Sequence, residues 1–173
     1  MSSNKIKGLL PVYILDSAGL FRISLINSEI MFTTNEAVNE VVNENEKLIV
    51  NSYIKNSKLK VLEPQKDVLK LALNIIGANP KLAEADISIM ALALQLGEKY
   101  DVTVITDDYE LQNALALNNI KCKGIKTIGI KKIIQWTYRC TGCGRYFKRP
   151  FEICPYCGSK VRRKPRKIKD KTG

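Results

Sequence analysis

Five acids stand out, four of them where a strand or helix starts or stops and Glu40 within a helix. Asp107 and Asp108 follow the β-branched run 102–105, Asp16 follows the apolar run 9–15, Glu40 lies on an apolar helical stripe, and Asp86 opens the most apolar helix of the chain. Carboxylates at such places can hold hard cations or move protons. A second set is Cys140-x-x-Cys143 and Cys154-x-x-Cys157, two knuckles ten residues apart. Two such pairs supply the four thiolates of a tetrahedral zinc site. The chain has no histidine, which excludes histidine bases, histidine metal ligands and Ser-His or Cys-His nucleophiles. Catalysis must rest on carboxylates, Lys, Tyr, Cys or a metal.

Elements that position these residues can be read from the pattern. Residues 9–15 and 102–106 are expected as buried strands, with their acids at the C-terminal ends. Asp16 could equally cap a helix over 20–26. Residues 30–33 are expected as a short strand. Thr33-Thr34-Asn35-Glu36 fits a capping box in which Thr33 caps and Glu36 answers, with a helix from 35 to about 45 carrying Ala37, Val38, Val41 and Val42 on one face. Glu36 then has a capping role and Glu40 has none. Further helices are expected over 48–55, 66–78 and 109–117, with strands over 58–62 and 120–123, a loop at Gly77, Asn79 and Pro80, and a turn at Asn118-Asn119. The helix over 82–96 is apolar on nearly all sides and should be buried. A carboxylate such as Asp86 at its edge is costly unless paired, hydrogen-bonded or bound to a metal, although a first-turn acid also suits the helix dipole. Alternation of strands and helices predicts an α/β fold with a mainly parallel central sheet.

Charge divides the chain. Of its 173 residues, 139–173 hold 12 basic and 2 acidic residues, whereas 1–138 hold 16 and 15. A basic module on a nearly neutral one suggests a polyanionic partner, most often nucleic acid. Arg139, Arg145, Lys148, Arg149, Lys160, Arg162, Arg163 and Lys164 surround the knuckles, interleaved with Tyr146, Phe147 and Phe151. Such mixtures suit phosphate contact with base stacking; the aromatics could equally be the module's own small core. Gly144 and Gly158 each follow a knuckle and suit its tight turn. A closed four-cysteine site makes the zinc structural, not catalytic. No run reaches the roughly 18 apolar residues of a membrane span, and the expected setting is cytoplasmic. The domain limits expected are 1–125 for the α/β unit, 126–138 for an extended linker, 139–164 for the ribbon and 165–173 for a basic flexible tail.

Asp16 after a first strand, Glu40 in TTNEAVNEV, Asp86 in ADISIMALA and Asp108 in ITDDYELQN together resemble the PIN-domain ribonucleases. With the ribbon YRCTGCGRYF…CPYCGS and the QN after the TDD acids, the chain looks like the subgroup that cuts precursor small-subunit ribosomal RNA to form its mature 3′ end, in an archaeal-type form. The resemblance implies that Asp16, Glu40, Asp86 and Asp108 converge at the C-terminal edge of the sheet as ligands of Mg²⁺ or Mn²⁺, with Asp107 as a second ligand or neighbour of Asp108. It implies an endoribonuclease whose ribbon aids RNA binding and whose partner is the precursor small subunit, with assembly factors. The family often has Ser where this chain has Ala83, so one cap contact is expected to be missing. Two other readings remain: a non-catalytic RNA-binding assembly factor on the same scaffold, and a different acid enzyme such as a phosphatase. The second needs an Asp-x-Asp after the first strand, which DSAGL lacks.

Overall fold

The computed structural model describes residues 9–26, 30–76 and 81–170. Five parallel strands form the central sheet: β1 (Pro11–Leu15), β2 (Met31–Thr33), β3 (Leu59–Val61), β4 (Asp101–Ile105) and β5 (Lys121–Lys123), in the order β3-β2-β1-β4-β5. Six helices connect and flank them: α1 (Ser17–Leu20), α2 (Asn35–Asn39), α3 (Glu44–Lys55), α4 (Lys66–Ile76), α5 (Glu84–Gly97) and α6 (Tyr109–Leu117). Strand order reverses between β1 and β4. Open parallel sheets place their crevice outside the carboxyl ends of the strands at such a switch point. Leu15 and Ile105 are register partners there, and the Asp16 N–H donates to the Ile105 carbonyl at 3.2 Å. Both acid-bearing termini therefore leave the sheet side by side.

The core fills both sides of this seam. Ile14, Leu15, Met31, Leu59, Ile89, Met90, Leu92, Leu111 and Leu115 are fully buried. The helix α5 is buried around most of its circumference, from Ala85 through Leu96, as its all-round apolar sequence predicts. Burying one such Leu or Ile contributes about 1.5–3 kcal/mol. The helix α1 lies close against it: a Cβ on Gly19 would meet the Ile105 carbonyl oxygen at 3.1 Å and the Leu15 Cβ at 3.2 Å.

Several local expectations are corrected. The residue that caps α2 is Thr34, accepting from the Ala37 N–H at 3.4 Å; the Thr33 hydroxyl instead donates to the Leu15 carbonyl at 2.8 Å. With the cap shifted by one, Glu36 sits one position too early to close a capping box. Its Oε2 is buried and finds no hydrogen-bond partner among the described residues. The helix α2 stops at Asn39 and does not reach 45, because Asn43 caps a new helix through the Asn45 and Glu46 N–H groups. The helix expected over 20–26 is α1 followed by a 3₁₀ turn, Ile23–Leu25. The expected loop at Gly77, Asn79 and Pro80 lies outside the described residues, as do the last residues of the helix expected to reach 78.

A second, antiparallel sheet is built from β6 (Lys132–Cys140), β7 (Tyr146–Phe147) and β8 (Val161–Asp170), in the order β7-β6-β8. Most of β6 comes from the stretch expected as a linker. The stretch 165–170, expected as flexible tail, is the second half of β8. A run of like charges reads as solvated chain, but its pairing partner lies some thirty residues upstream and no local pattern reports it. Among the described residues, no helix is long and apolar enough to cross a membrane.

Candidate active site and four-cysteine centre

Three short polar links assemble the acids. The first is Thr106, fully buried at the end of β4, whose hydroxyl bonds to the Asp16 carboxylate and accepts the Asp108 N–H at 3.1 Å. A second runs between helices. The Ala37 N–H donates to the Thr34 hydroxyl, which lies 2.7 Å from the Ser88 hydroxyl, which in turn donates to the Ala85 carbonyl. Because Ser88 gives its proton to Ala85, Thr34 must be the donor to Ser88. This chain fixes α2, which ends at Glu40, against α5, which begins beside Asp86. The third is the Thr33 bond to Leu15, one residue before Asp16. The sequence points to the Thr33 and Thr34 hydroxyls only as candidate helix caps, and to Thr106 and Ser88 not at all.

Asp16, Asp86 and Asp108 are each held through part of the carboxylate. The N-cap of α1 is Asp16, whose Oδ1 accepts the Gly19 N–H at 2.7 Å. In the first turn of α5, the Asp86 Oδ2 accepts the Ala83 N–H at 2.8 Å. Ala83 has no side-chain acceptor to return the bond, so only half of a capping box forms, as the Ser-to-Ala departure predicts. The N-cap of α6 is Asp108, whose Oδ1 accepts the Glu110 and Leu111 N–H groups at 2.6 and 3.0 Å. Glu40 is exposed at the end of α2.

Electrostatics ties them into one site. Burial pushes Asp16 up to about 6; Thr106 and Gly19 oppose this, while the charges of Asp86 and Asp107 add to it. Burial likewise raises Asp86 to about 6, opposed by Ala83 and reinforced by the charges of Asp108 and Glu40. Glu40 and Asp108 therefore act on Asp86, and Asp86 and Asp107 act on Asp16. Asp107 differs from them. Burial is the largest single influence on its carboxyl and raises it, but the N–H groups of Thr127, Ile125 and Lys126 and the Thr127 hydroxyl together outweigh it and hold the carboxyl below the ordinary value. Its Oδ1 accepts from Ile125, Lys126, Thr127 and the Thr127 hydroxyl at 2.8–3.2 Å. It anchors the loop after β5, with Asp108 facing the acid cluster. Burial chiefly, with neighbouring negative charge in addition, raises two of these carboxyls. Among the described residues no three of the acids lie within 4.8 Å of one another, yet hard carboxylate oxygens short of positive charge are donors that suit a divalent cation such as Mg²⁺ or Mn²⁺.

The sulfurs are gathered more tightly. The Sγ atoms of Cys140, Cys143, Cys154 and Cys157 all lie within 4.8 Å of one another, the one such group among the described residues. Two pairs stand at 3.4 Å (Cys140–Cys157) and 3.7 Å (Cys143–Cys154). Thiolates about 2.3 Å from a tetrahedral ion lie about 3.8 Å apart, so the spacing fits such an ion. The Gly142 and Cys143 N–H groups point at the Cys140 sulfur at 3.3 and 3.4 Å, and Ser159, through its N–H and hydroxyl, lowers Cys157 to about 6. Gly144 and Gly158 adopt φ of +73° and +71°, the left-handed turn a side chain disfavours. The fifth cysteine, Cys122, stands apart in β5, half-buried against the core.

Of the eight expected RNA contacts, seven are exposed: Arg139, Arg145, Lys148, Arg149, Lys160, Arg162 and Lys164. Pairing sorts them, since Arg139 faces Arg162 and Thr137 faces Lys164 across β6 and β8. These basic side chains share one face and line a cavity of about 300 Å³ beside Thr141 and Gly142. Arg145 stacks over Tyr156 at 4.2 Å, and Phe147 packs on Phe151 and Tyr156; Phe147 is half-buried within the ribbon, whereas Tyr146, Phe151 and Tyr156 are exposed. The eighth, Arg163, points the other way. Its side chain is 15% exposed, grips Glu110 through both terminal nitrogens at 2.9 and 2.8 Å, and lies over the Trp136 ring at 3.9 Å.

No family model matches the chain. Among curated proteins, it is 40% identical over 141 residues to the endoribonuclease Nob1 of Pyrococcus abyssi, covering 79% of this chain and 84% of that protein. It is 33% identical over 138 residues to the endoribonuclease Nob1 of Methanothermobacter thermautotrophicus, covering 77% and 81%. It is also 29% identical over 157 residues to the ribonuclease VapC1 of Thermoplasma acidophilum, covering 88% and 77%. A parallel sheet with acids at its switch point, a four-cysteine module behind it, and this identity over most of both chains place the protein in the Nob1 family of PIN-domain endoribonucleases.

Proposed function

We propose that the protein is a metal-dependent endoribonuclease that hydrolyses one phosphodiester in precursor small-subunit ribosomal RNA, at its 3′ end, in the cytoplasm. The observation that supports the chemistry is the line of charge effects at the β1–β4 switch point, from Glu40 and Asp108 to Asp86 and from Asp86 to Asp16, where burial raises two of the carboxyls to about 6. These four residues would hold Mg²⁺ or Mn²⁺. When bound, the ion supplies a lowered pKa for water and positive charge beside the leaving oxygen. The chain itself supplies orientation. Asp108 is fixed through one oxygen by two N–H groups of α6, leaving the other for the site. Thr106 sets the Asp16 carboxylate against the same helix start.

An acidic site repels a polyanion, so affinity must come from elsewhere. In this reading the cysteines hold a structural zinc ion, and the outward face bearing Arg139, Arg162 and Lys164 holds phosphates. The precursor subunit is the partner that presents the RNA, together with assembly factors. The test is to map the cut made by zinc-loaded protein in Mn²⁺ or Mg²⁺ on RNA spanning a small-subunit 3′ junction. A single cut at the junction is expected. Cutting scattered through the RNA, with no preference for the junction, would overturn the ribosomal assignment and leave the nuclease chemistry intact.

A further inference from the structure

One helix serves both units of the molecule. The N-cap of α6 is Asp108, and the four residues Asp107, Glu110, Gln112 and Asn113 hold everything that follows β5. Asp107 binds the backbone of 125–127. The Gln112 carboxamide donates to the Thr106 carbonyl at 2.8 Å and accepts the Ile130 N–H at 2.9 Å. The Asn113 carboxamide takes both backbone groups of Ile134, accepting the N–H at 2.7 Å and donating to the carbonyl at 2.9 Å. Both groups of one strand residue point the same way, so Asn113 occupies the edge of β6 that lies opposite β8. Farther along β6, Glu110 grips Arg163 of β8. The sequence TDDYELQN thus divides its labour: one acid faces the site and the others tether the ribbon.

A cleft of about 370 Å³ opens beside the clamp, lined by Asn74, Leu117, Gln135, Trp136 and Lys148 among others. Units joined through a small interface move relative to each other by default, so these side chains decide whether they do. Arg163 is built for holding. It is the one basic residue of the run 162–164 that is not exposed, both terminal nitrogens are engaged, and its remaining Nε is buried. A bidentate Arg–carboxylate pair fixes direction as well as distance. Glu110 also donates its own N–H to the Asp108 Oδ1 at 2.6 Å, so the clamp begins at a residue bonded to the acid site.

We propose that Glu110 and Arg163 are positioning residues: their clamp makes the nuclease domain and the ribbon one rigid body and so selects which phosphodiester reaches Asp108. The choice of bond rests on the reading that the ribbon's outer face holds RNA; the rigidity does not. Two experiments on the zinc-loaded protein separate these parts. Backbone ¹⁵N relaxation should give one rotational correlation time for both units of the parent, and a shorter one for the ribbon in Arg163→Gln. Two different times in the parent, or one unchanged time in the variant, would overturn the clamp. In cleavage assays, Arg163→Gln and Glu110→Gln should keep KM within about twofold, lower kcat at the main position about tenfold, and spread cuts to neighbouring bonds. The reversed pair Glu110→Arg with Arg163→Glu should restore the single position. Loss of RNA affinity in Arg163→Gln with the cut position kept would make Arg163 an RNA contact instead. A parent that cuts no RNA would sink the functional reading, and the relaxation result would still decide the clamp.

Discussion

The Thr106 hydroxyl bonds to the Asp16 carboxylate across the boundary between β4 and β1. The bond favours the ionised form of a carboxyl that burial pushes the other way. The Thr106→Val variant keeps the shape and removes the bond. Asp16 should then titrate still higher, and the acid limb of the pH–rate profile should move to higher pH. Affinity for Mn²⁺ should fall about tenfold, the lower end of what a group supporting a metal ligand contributes. An unchanged profile would mean that Thr106 only fills space.

Metal binding should release protons. With Asp16 and Asp86 both raised to about 6, each is half protonated at that pH, and a bound cation needs both ionised. Calorimetric titration with Mn²⁺ at pH 6, in buffers of different ionisation enthalpy, should give release of about one proton per protein. At pH 8 it should give none. Affinity should weaken steadily below pH 6.

Stability and catalysis should pull in opposite directions at Asp16. Its folded pKa of about 6 lies above its ordinary 3.8, so the folded state binds the proton more tightly than the unfolded chain. The stability this proton confers is full below pH about 4 and is lost as pH rises through 6, by about 3 kcal/mol in total at about 1.4 kcal/mol per unit. Asn can still accept the Gly19 N–H. In EDTA at pH 7.5, Asp16→Asn should therefore melt above the parent, with the gap closing near pH 4, although it should not cut RNA. A variant that melts below the parent at pH 7.5 would contradict the buried-charge account.

RNA affinity should follow salt through the ribbon's outer face. Single-stranded RNA binding weakens with a log–log slope of about −0.7 per phosphate contact. Alanine at Arg139, Arg162 or Lys164 should each flatten the slope by nearly that much, whereas Arg163→Gln should leave it unchanged. Cys157→Ser should reduce affinity most of all, because a ribbon with so small a core folds with its metal. Measuring binding between 50 and 300 mM salt separates these outcomes.

Some of this was legible in the sequence. The strand before Asp107 announces itself by a β-branched run that stops at two acids, and α6 follows over the expected nine residues. The all-round burial of α5 follows from a sequence with almost no polar face. Position-by-position roles were less legible, because they depend on partners far along the chain. Thr33 fits a capping box better than Thr34, yet its hydroxyl is claimed by Leu15 on the next strand. The resemblance ranks Asp108 ahead of Asp107, but the role of Asp107 as the anchor of residues 125–127 shows only once that loop is folded onto it. Arg162, Arg163 and Lys164 read as one basic run. Strand alternation turns the middle one inward, and that can be seen only once the register of β8 on β6 is known.

The central claim is that neighbouring carboxylates around the buried Asp16 carry the reaction through a divalent cation. Its most direct test is single-turnover cleavage of a single-stranded RNA by zinc-loaded protein in Mn²⁺ or Mg²⁺ and in EDTA, for the parent and Asp86→Asn at matched zinc content. The expected result is discrete cutting by the parent in metal alone, and a rate at least a thousandfold lower (roughly 4 kcal/mol of barrier) for the variant, with RNA affinity kept. Equal cutting in EDTA, or by Asp86→Asn in metal, would contradict it.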